Sequence, residues 1–197
     1  MRKYLSNIFD VGFSFYIFIA AFLLLVPLRI AIAWLIAVAI HELCHYIALR
    51  MFRVSVFSLK LSAFGVVMDT APMSGKKEVA CALAGPLGGL CLLALARRMP
   101  CTAICAVIHS GYNLLPIYPL DGGRALRRIL SMVFGNRTGQ WLSKIVSYAI
   151  IGVLFVLAIY LTWNFHMGIL PVCFVVLLMI RCSNIKFPCK QQEQIVQ

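Results

Sequence analysis

Residues Ile30 to Leu49 read IAIAWLIAVAIHELCHYIAL, an apolar run broken by one cluster, His41-Glu42-Leu43-Cys44-His45. A stretch of this length covers the roughly 30 Å of bilayer hydrocarbon at about 1.5 Å per helical residue. Histidines four apart project from one helix face, so both imidazoles can reach a single zinc ion. The glutamate between them stands where zinc hydrolases carry their general base. Ionisable side chains at membrane depth are expensive, so a functional reason takes precedence over a structural one. The stretch predicts a membrane-embedded helix bearing a metal-dependent hydrolytic site.

Composition agrees with a membrane class. The chain is 62% hydrophobic and 12% charged, with mean hydropathy +0.95; soluble domains sit near half apolar and a quarter charged. The net charge of +12 does not call for nucleic acid, because the basic residues gather at the ends of apolar runs, as topology signals do. Met1-Arg2-Lys3 followed by apolar sequence from Val11 has the outline of a signal peptide. No small-residue cleavage site follows Leu25, and Pro27 leads directly into the next run, so an uncleaved first span is expected. The cysteines form no disulfide framework. Cys81, Cys91 and Cys173 read as small hydrophobes, while Cys101 with Cys105 and Cys182 with Cys189 are weak metal-binding patterns.

Six apolar segments are expected to cross the membrane, at 11–27, 30–50, 77–96, 101–119, 144–163 and 167–181. Fifteen basic residues then fall on one side, from Arg2 and Lys3 through Arg50 and Arg124 to Lys186 and Lys190, against Arg29, Arg97 and Arg98 on the other. That asymmetry places both termini in the cytosol. It puts His45 roughly 7 Å and His41 roughly 13 Å below the cytosolic end of the second span. The fold class is an all-α polytopic membrane protein with a short membrane-associated β-hairpin at 54–68, between spans two and three, where apolar and polar residues partly alternate. From Asp121 onward, Arg124, Arg127 and Arg128 interleave with Leu126, Ile129 and Leu130, which predicts an amphipathic helix at the cytosolic interface. Residues 1–181 are expected to form one domain, with 182–197 a short cytosolic tail.

Catalytic zinc takes three protein ligands and keeps a fourth position for water. Among the candidates, Asp10 and Asp69 flank spans, Glu78 begins a helix beside Lys76 and Lys77, and His166 lies in an outer loop. His109 is placed about one turn outside Asn113, above the metal. Asp121, at the cytosolic end of span four, has the right depth and is the best candidate. Pro116 and Pro119 lie between Asn113 and Asp121 and break the helix. A broken stretch could bring both to one metal-centred site, since irregular backbone at membrane depth is tolerated where it lines a polar cavity. The alternative is a proline-kinked helix end with an N-cap aspartate.

The chain resembles the site-2 proteases, which are intramembrane zinc metalloproteases. The likeness is carried by His41-Glu42-x-x-His45, by Ala84-Gly85-Pro86 and by Asn113…Pro116…Pro119-Leu120-Asp121-Gly122-Gly123. It covers about residues 30 to 130 and is strongest to the bacterial six-span subgroup that processes sporulation factors. The resemblance implies that His41, His45 and Asp121 ligate Zn2+ and that Glu42 activates water. Asn113 would steady the substrate or offer an N–H to the oxyanion, and Gly85 and Pro86 would allow close packing beside the site. The substrate would be a membrane-anchored protein cut in or near a transmembrane segment, with other membrane proteins supplying regulation. The subgroup's cytosolic CBS domain has no counterpart in the expected tail, and the loop after span two is too short for a PDZ domain. A metal-binding transporter or an inactive scaffold is the competing reading. Against these stand the lack of an internal repeat, the presence of Glu42, which transport does not require, and a motif with no member missing.

Overall fold

The computed structural model describes residues 9–62, 65–165 and 168–183. Arg2, Lys3, His166, Lys186, Lys190 and Cys189, which entered the sequence reading, lie outside them, as does nearly all of the 182–197 tail. The elements run β1 (Phe9–Val11), α1 (Phe13–Leu25), α2 (Leu28–Met51), β2 (Val56–Ser62), β3 (Gly65–Thr70), α3 (Gly75–Leu90), α4 (Pro100–Leu114), α5 (Asp121–Phe134), α6 (Asn136–Phe165) and α7 (Leu170–Ser183). A 3-10 turn over Cys91–Leu95 continues α3.

Among the described residues three helical stretches are long and apolar enough to cross a membrane: α2, α3 with its 3-10 turn, and α6. The other apolar segments of the expected six appear as shorter helices, α1 of 13 residues, α4 of 15 and α7 of 14. Much of the apolar surface faces outward, as on Leu24, Leu25, Val153 and Val156. In a bilayer, exposed apolar side chains meet lipid without cost, so the burial that drives a soluble fold is not required here.

The expected hairpin is present but belongs to a larger sheet. β2 pairs antiparallel with β3, and β1 adds in parallel on the other edge of β2 with Phe9 opposite Leu59 and Val11 opposite Leu61. A three-residue strand preceding the first apolar run has no periodicity of its own to reveal it. Ser58 Oγ donates to Asp69 at 2.5 Å and Lys60 Nζ lies 3.1 Å from the same carboxylate, which ties the two long strands together. The sheet sits at the C-terminal end of α2. Met68, Val54 and Val56 pack on a buried cluster of Ala48, Leu49 and Cys81.

α2 ends in a Schellman turn that aims the chain into β2: Val54 N–H bonds Leu49 O at 2.9 Å and Arg53 N–H bonds Arg50 O at 3.0 Å. Arg53 takes the left-handed position with φ 56.

α4 stops where the prolines dictate. Pro116 excludes helical backbone at the residue before it, and Leu115 is extended with ψ 133. Residues 115–120 then form an irregular connection containing a cis Tyr118–Pro119 bond. Ile117, fully buried, anchors it in a cluster with Leu120, Ile151 and Val175. Its backbone is met by α6: Tyr118 N–H donates to Ser147 Oγ at 3.1 Å, and that hydroxyl donates to Ser143 O at 2.8 Å. α5 follows as the expected amphipathic helix and turns back on α6 at Gly139, where a Cβ would strike the Leu130–Ser131 backbone.

Replacing Ser147 by alanine removes the hydroxyl that accepts the Tyr118 N–H, in the segment that carries Asp121. Thermal unfolding in detergent should show a loss of about 1–3 kcal/mol, whereas Ser183→Ala, at an exposed helix end, should leave the transition in place.

Candidate metal centre

Three ligand atoms converge at the sheet end of the bundle. His41 and His45 come from α2, one turn apart; Asp121 is the first residue of α5. His41 Nε2 and His45 Nε2 each lie 3.1 Å from Asp121 Oδ2, and the two Nε2 atoms are 3.2 Å apart. His41 is 1% exposed and Asp121 is 8% exposed. Zinc–ligand bonds of about 2.0–2.1 Å in a tetrahedron separate ligand atoms by about 3.3 Å. The observed triangle has those dimensions, so the residues present fit a zinc ion. Among the described residues this is the one group of three or more His, Cys, Asp or Glu side chains placed to hold a metal. Cys101 and Cys105 lie a turn apart on α4 with Cys105 packed among Ala33, Ala37 and Ala106.

Each ligand is oriented by its surroundings. His45 donates Nδ1–H to the Cys81 carbonyl at 2.7 Å. The proton is thereby fixed on Nδ1, and the Nε2 lone pair faces the triad. Asp121 begins a helix, where the positive end of the dipole favours a carboxylate. Gly122 and Gly123 let that helix start against the 114–118 connection, since a Cβ on either would strike the backbone of Leu114 or Ile117.

α3 carries the third wall. A Cβ on Gly85 would collide with the His45 ring, one on Gly88 with Cys44 Sγ, and one on Gly89 with Ser110 Oγ. This small-residue stripe lets α2 and α4 side chains press on the α3 backbone. Pro86 is buried in the same helix, and the Pro116 carbonyl lies 3.4 Å from Ser147 Oγ, in the connection rather than at the metal site.

Glu42 follows His41 on α2 and is half-buried. Asn113 lies at the end of α4, and its surroundings differ from those expected. Its Nδ2 meets both His109 Nε2 and His109 O, each at 3.1 Å. A main-chain carbonyl can only accept, so the amide nitrogen must face it, and both Asn113 hydrogens are directed to His109. What Asn113 retains for substrate is its carbonyl oxygen, an acceptor; in this arrangement it is not an N–H donor to an oxyanion.

His109 itself was expected about one turn outside Asn113, above the metal. Its ring stands edge-on to His41 with centroids 4.6 Å apart, and to Trp34 at 5.3 Å. It is a neighbour of the triad and not a member of it. Depth counted along one helix does not register how closely α4 crosses α2. The spacing His109…Asn113, four apart, was the signal that could have linked the two.

No protein-family model matches the chain. By sequence it is similar to a protein named as a zinc metalloprotease from Methanocaldococcus jannaschii. The two are 30% identical over 116 aligned positions, which cover 51% of this chain and 34% of that protein. The match thus spans about a third of the relative's length. By structure the chain superposes on a site-2 protease from Methanocaldococcus jannaschii with TM-score 0.65 and 20% identity, over 91% of this chain and 92% of that one. The chain has the site-2 protease fold, and a zinc metalloprotease among its relatives.

If Gly85 seats the His45 ring, Gly85→Val should weaken metal binding about tenfold or more, approaching His45→Ala and Asp121→Ala. Metal content of the purified proteins after dialysis against a graded chelator reads this directly. Full retention in Gly85→Val would show that His45 is not seated on α3.

Proposed function

We propose that this chain is an intramembrane zinc metalloendopeptidase that cuts a membrane-anchored protein in or near a transmembrane segment. The observation that carries the reading is the His41, His45 and Asp121 triangle with Glu42 beside it, on a helix apolar enough to span a bilayer. The site-2 protease fold and the zinc metalloprotease relative support it.

A zinc ion held by these three residues would supply Lewis-acid polarisation of the scissile carbonyl and a water acidified toward neutral pH. Glu42 takes the proton of the attacking water and returns it to the leaving amine nitrogen. Asn113, with its amide hydrogens committed to His109, receives a substrate backbone N–H on its carbonyl oxygen and helps hold the chain in register. Three side chains of fixed orientation in an apolar surround keep bulk water from competing with these contacts.

A peptide bond within an intact helix is shielded by its own hydrogen bonds, so the substrate must unwind to react. The sheet at the end of α2 offers a receiver. Among the described residues β1 and β3 are its two edge strands, and β3, with 6 residues against 3, offers the longer edge. We read β3 as the edge to which an extended substrate segment adds. Fifteen of the 18 basic residues support placing this end of the bundle, and both termini, at the cytosolic face. Six membrane crossings and a single catalytic domain remain the proposed organisation.

Co-expression with a tagged membrane-anchored substrate tests the reading. Glu42→Gln should lower cleavage by about 10²–10⁴-fold while keeping its metal; cleavage equal to that of the native protein would sink the assignment. Prolines placed in turn at Val66, Val67 and Met68 should include one whose missing N–H lies on the outer edge of β3. That variant should lose cleavage and retain metal. Undiminished cleavage by all three would rule out strand addition.

A further inference from the structure

The two ligand histidines are held differently. His45 donates its Nδ1–H to Cys81 O at 2.7 Å. His41 Nδ1 is buried and has no hydrogen-bond partner among the described residues. A histidine whose Nε2 faces a metal carries its proton on Nδ1, and such a proton is almost always given to an acceptor that fixes the ring. Burying it unmet is costly.

Ser110, on α4, presents the complementary defect. The residue is fully buried, and its Oγ likewise has no partner among the described residues. Both atoms approach the side of α3 from which Gly89 omits a side chain. A Cβ there would lie 3.8 Å from His41 Nδ1 and would collide with Ser110 Oγ. An N–H donor and a hydroxyl acceptor, neither with a partner among the described residues, thus lie beside the same glycine of α3. The other polar ring nearby, His109, has its Nε2 engaged with Asn113 at 3.1 Å.

We propose that Ser110 is the positioning residue for His41. Its Oγ accepts the Nδ1–H, directly or through one water in the space beside Gly89, and so holds the tautomer that presents Nε2 to the metal. Cys81 O does this for His45 from α3; Ser110 does it for His41 from α4. The absence of a side chain at Gly89 keeps the path between them open.

The inference rests on the zinc reading of the site, and its test needs no substrate. Purified native protein, Ser110→Ala and Ser110→Thr are compared in detergent. Zinc affinity is read by competition with a chromophoric chelator, and ligand geometry by the visible absorption of the cobalt(II) form. Ser110→Ala should bind zinc about 10–100-fold more weakly and shift the cobalt bands. Ser110→Thr, which keeps the hydroxyl, should recover most of the affinity and the native spectrum. Native protein that binds no zinc would remove the metal-centre reading and this inference with it. If the native protein binds zinc and Ser110→Ala matches it in affinity and spectrum, this inference alone is overturned. Equal weakness of the threonine and alanine variants also overturns it, because the effect would then follow side-chain volume rather than the hydroxyl.

Discussion

The rest of the structure depends on one convergence: the carboxylate at the start of α5 reaching two imidazoles on α2, at 3.1 Å from each. Asp121 and His41 lie 80 residues apart in sequence, in a chain whose surroundings at that depth are apolar. Bringing a carboxylate there without partners would cost several kcal/mol. The triangle of ligand atoms makes the placement tolerable, and a metal ion would make it favourable.

Much of the remaining architecture serves that convergence. Pro116 ends α4 early, and the irregular connection carries the chain to α5 at the level of the histidines. Ser147 on α6 meets the backbone of that connection, and Ile117 plugs it into the α6–α7 cluster. Gly122 and Gly123 remove the side chains that would keep α5 away. On the opposite side, Gly85, Gly88 and Gly89 bring α3 against His45, Cys44 and Ser110. The small residues are placed where helices must touch side chains of the site, as expected where packing and not water exclusion holds helices together.

The sequence made the metal-binding helix legible because its information is local. The four-residue interval of His41 and His45 and the apolar run around them both lie within one element. Asp121 was legible by depth, since Pro116 and Pro119 marked where span four must break. The parts that were missed depend on how elements cross. His109 was placed above the metal, whereas its ring stands beside that of His41, because counting rise along α4 says nothing of its angle to α2. Asn113 was expected to donate to an oxyanion, but the main-chain carbonyl of His109 turns its amide the other way. β1 joined the sheet by parallel pairing with a strand some fifty residues later, a contact no local pattern encodes. Ser147, in an apolar helix, carried a readable signal, because a buried hydroxyl needs partners and finds them in the 115–120 connection and in Ser143 O.

Two nitrogens and one oxygen, from His41, His45 and Asp121, are placed to hold zinc within the apolar bundle. X-ray absorption at the zinc edge of the purified protein measures this directly. The expected result is nitrogen and oxygen scatterers only, at about 2.0–2.1 Å, and loss of the bound zinc in the Asp121→Ala variant. A sulfur shell near 2.3 Å, placing the ion on the cysteines instead, would contradict it.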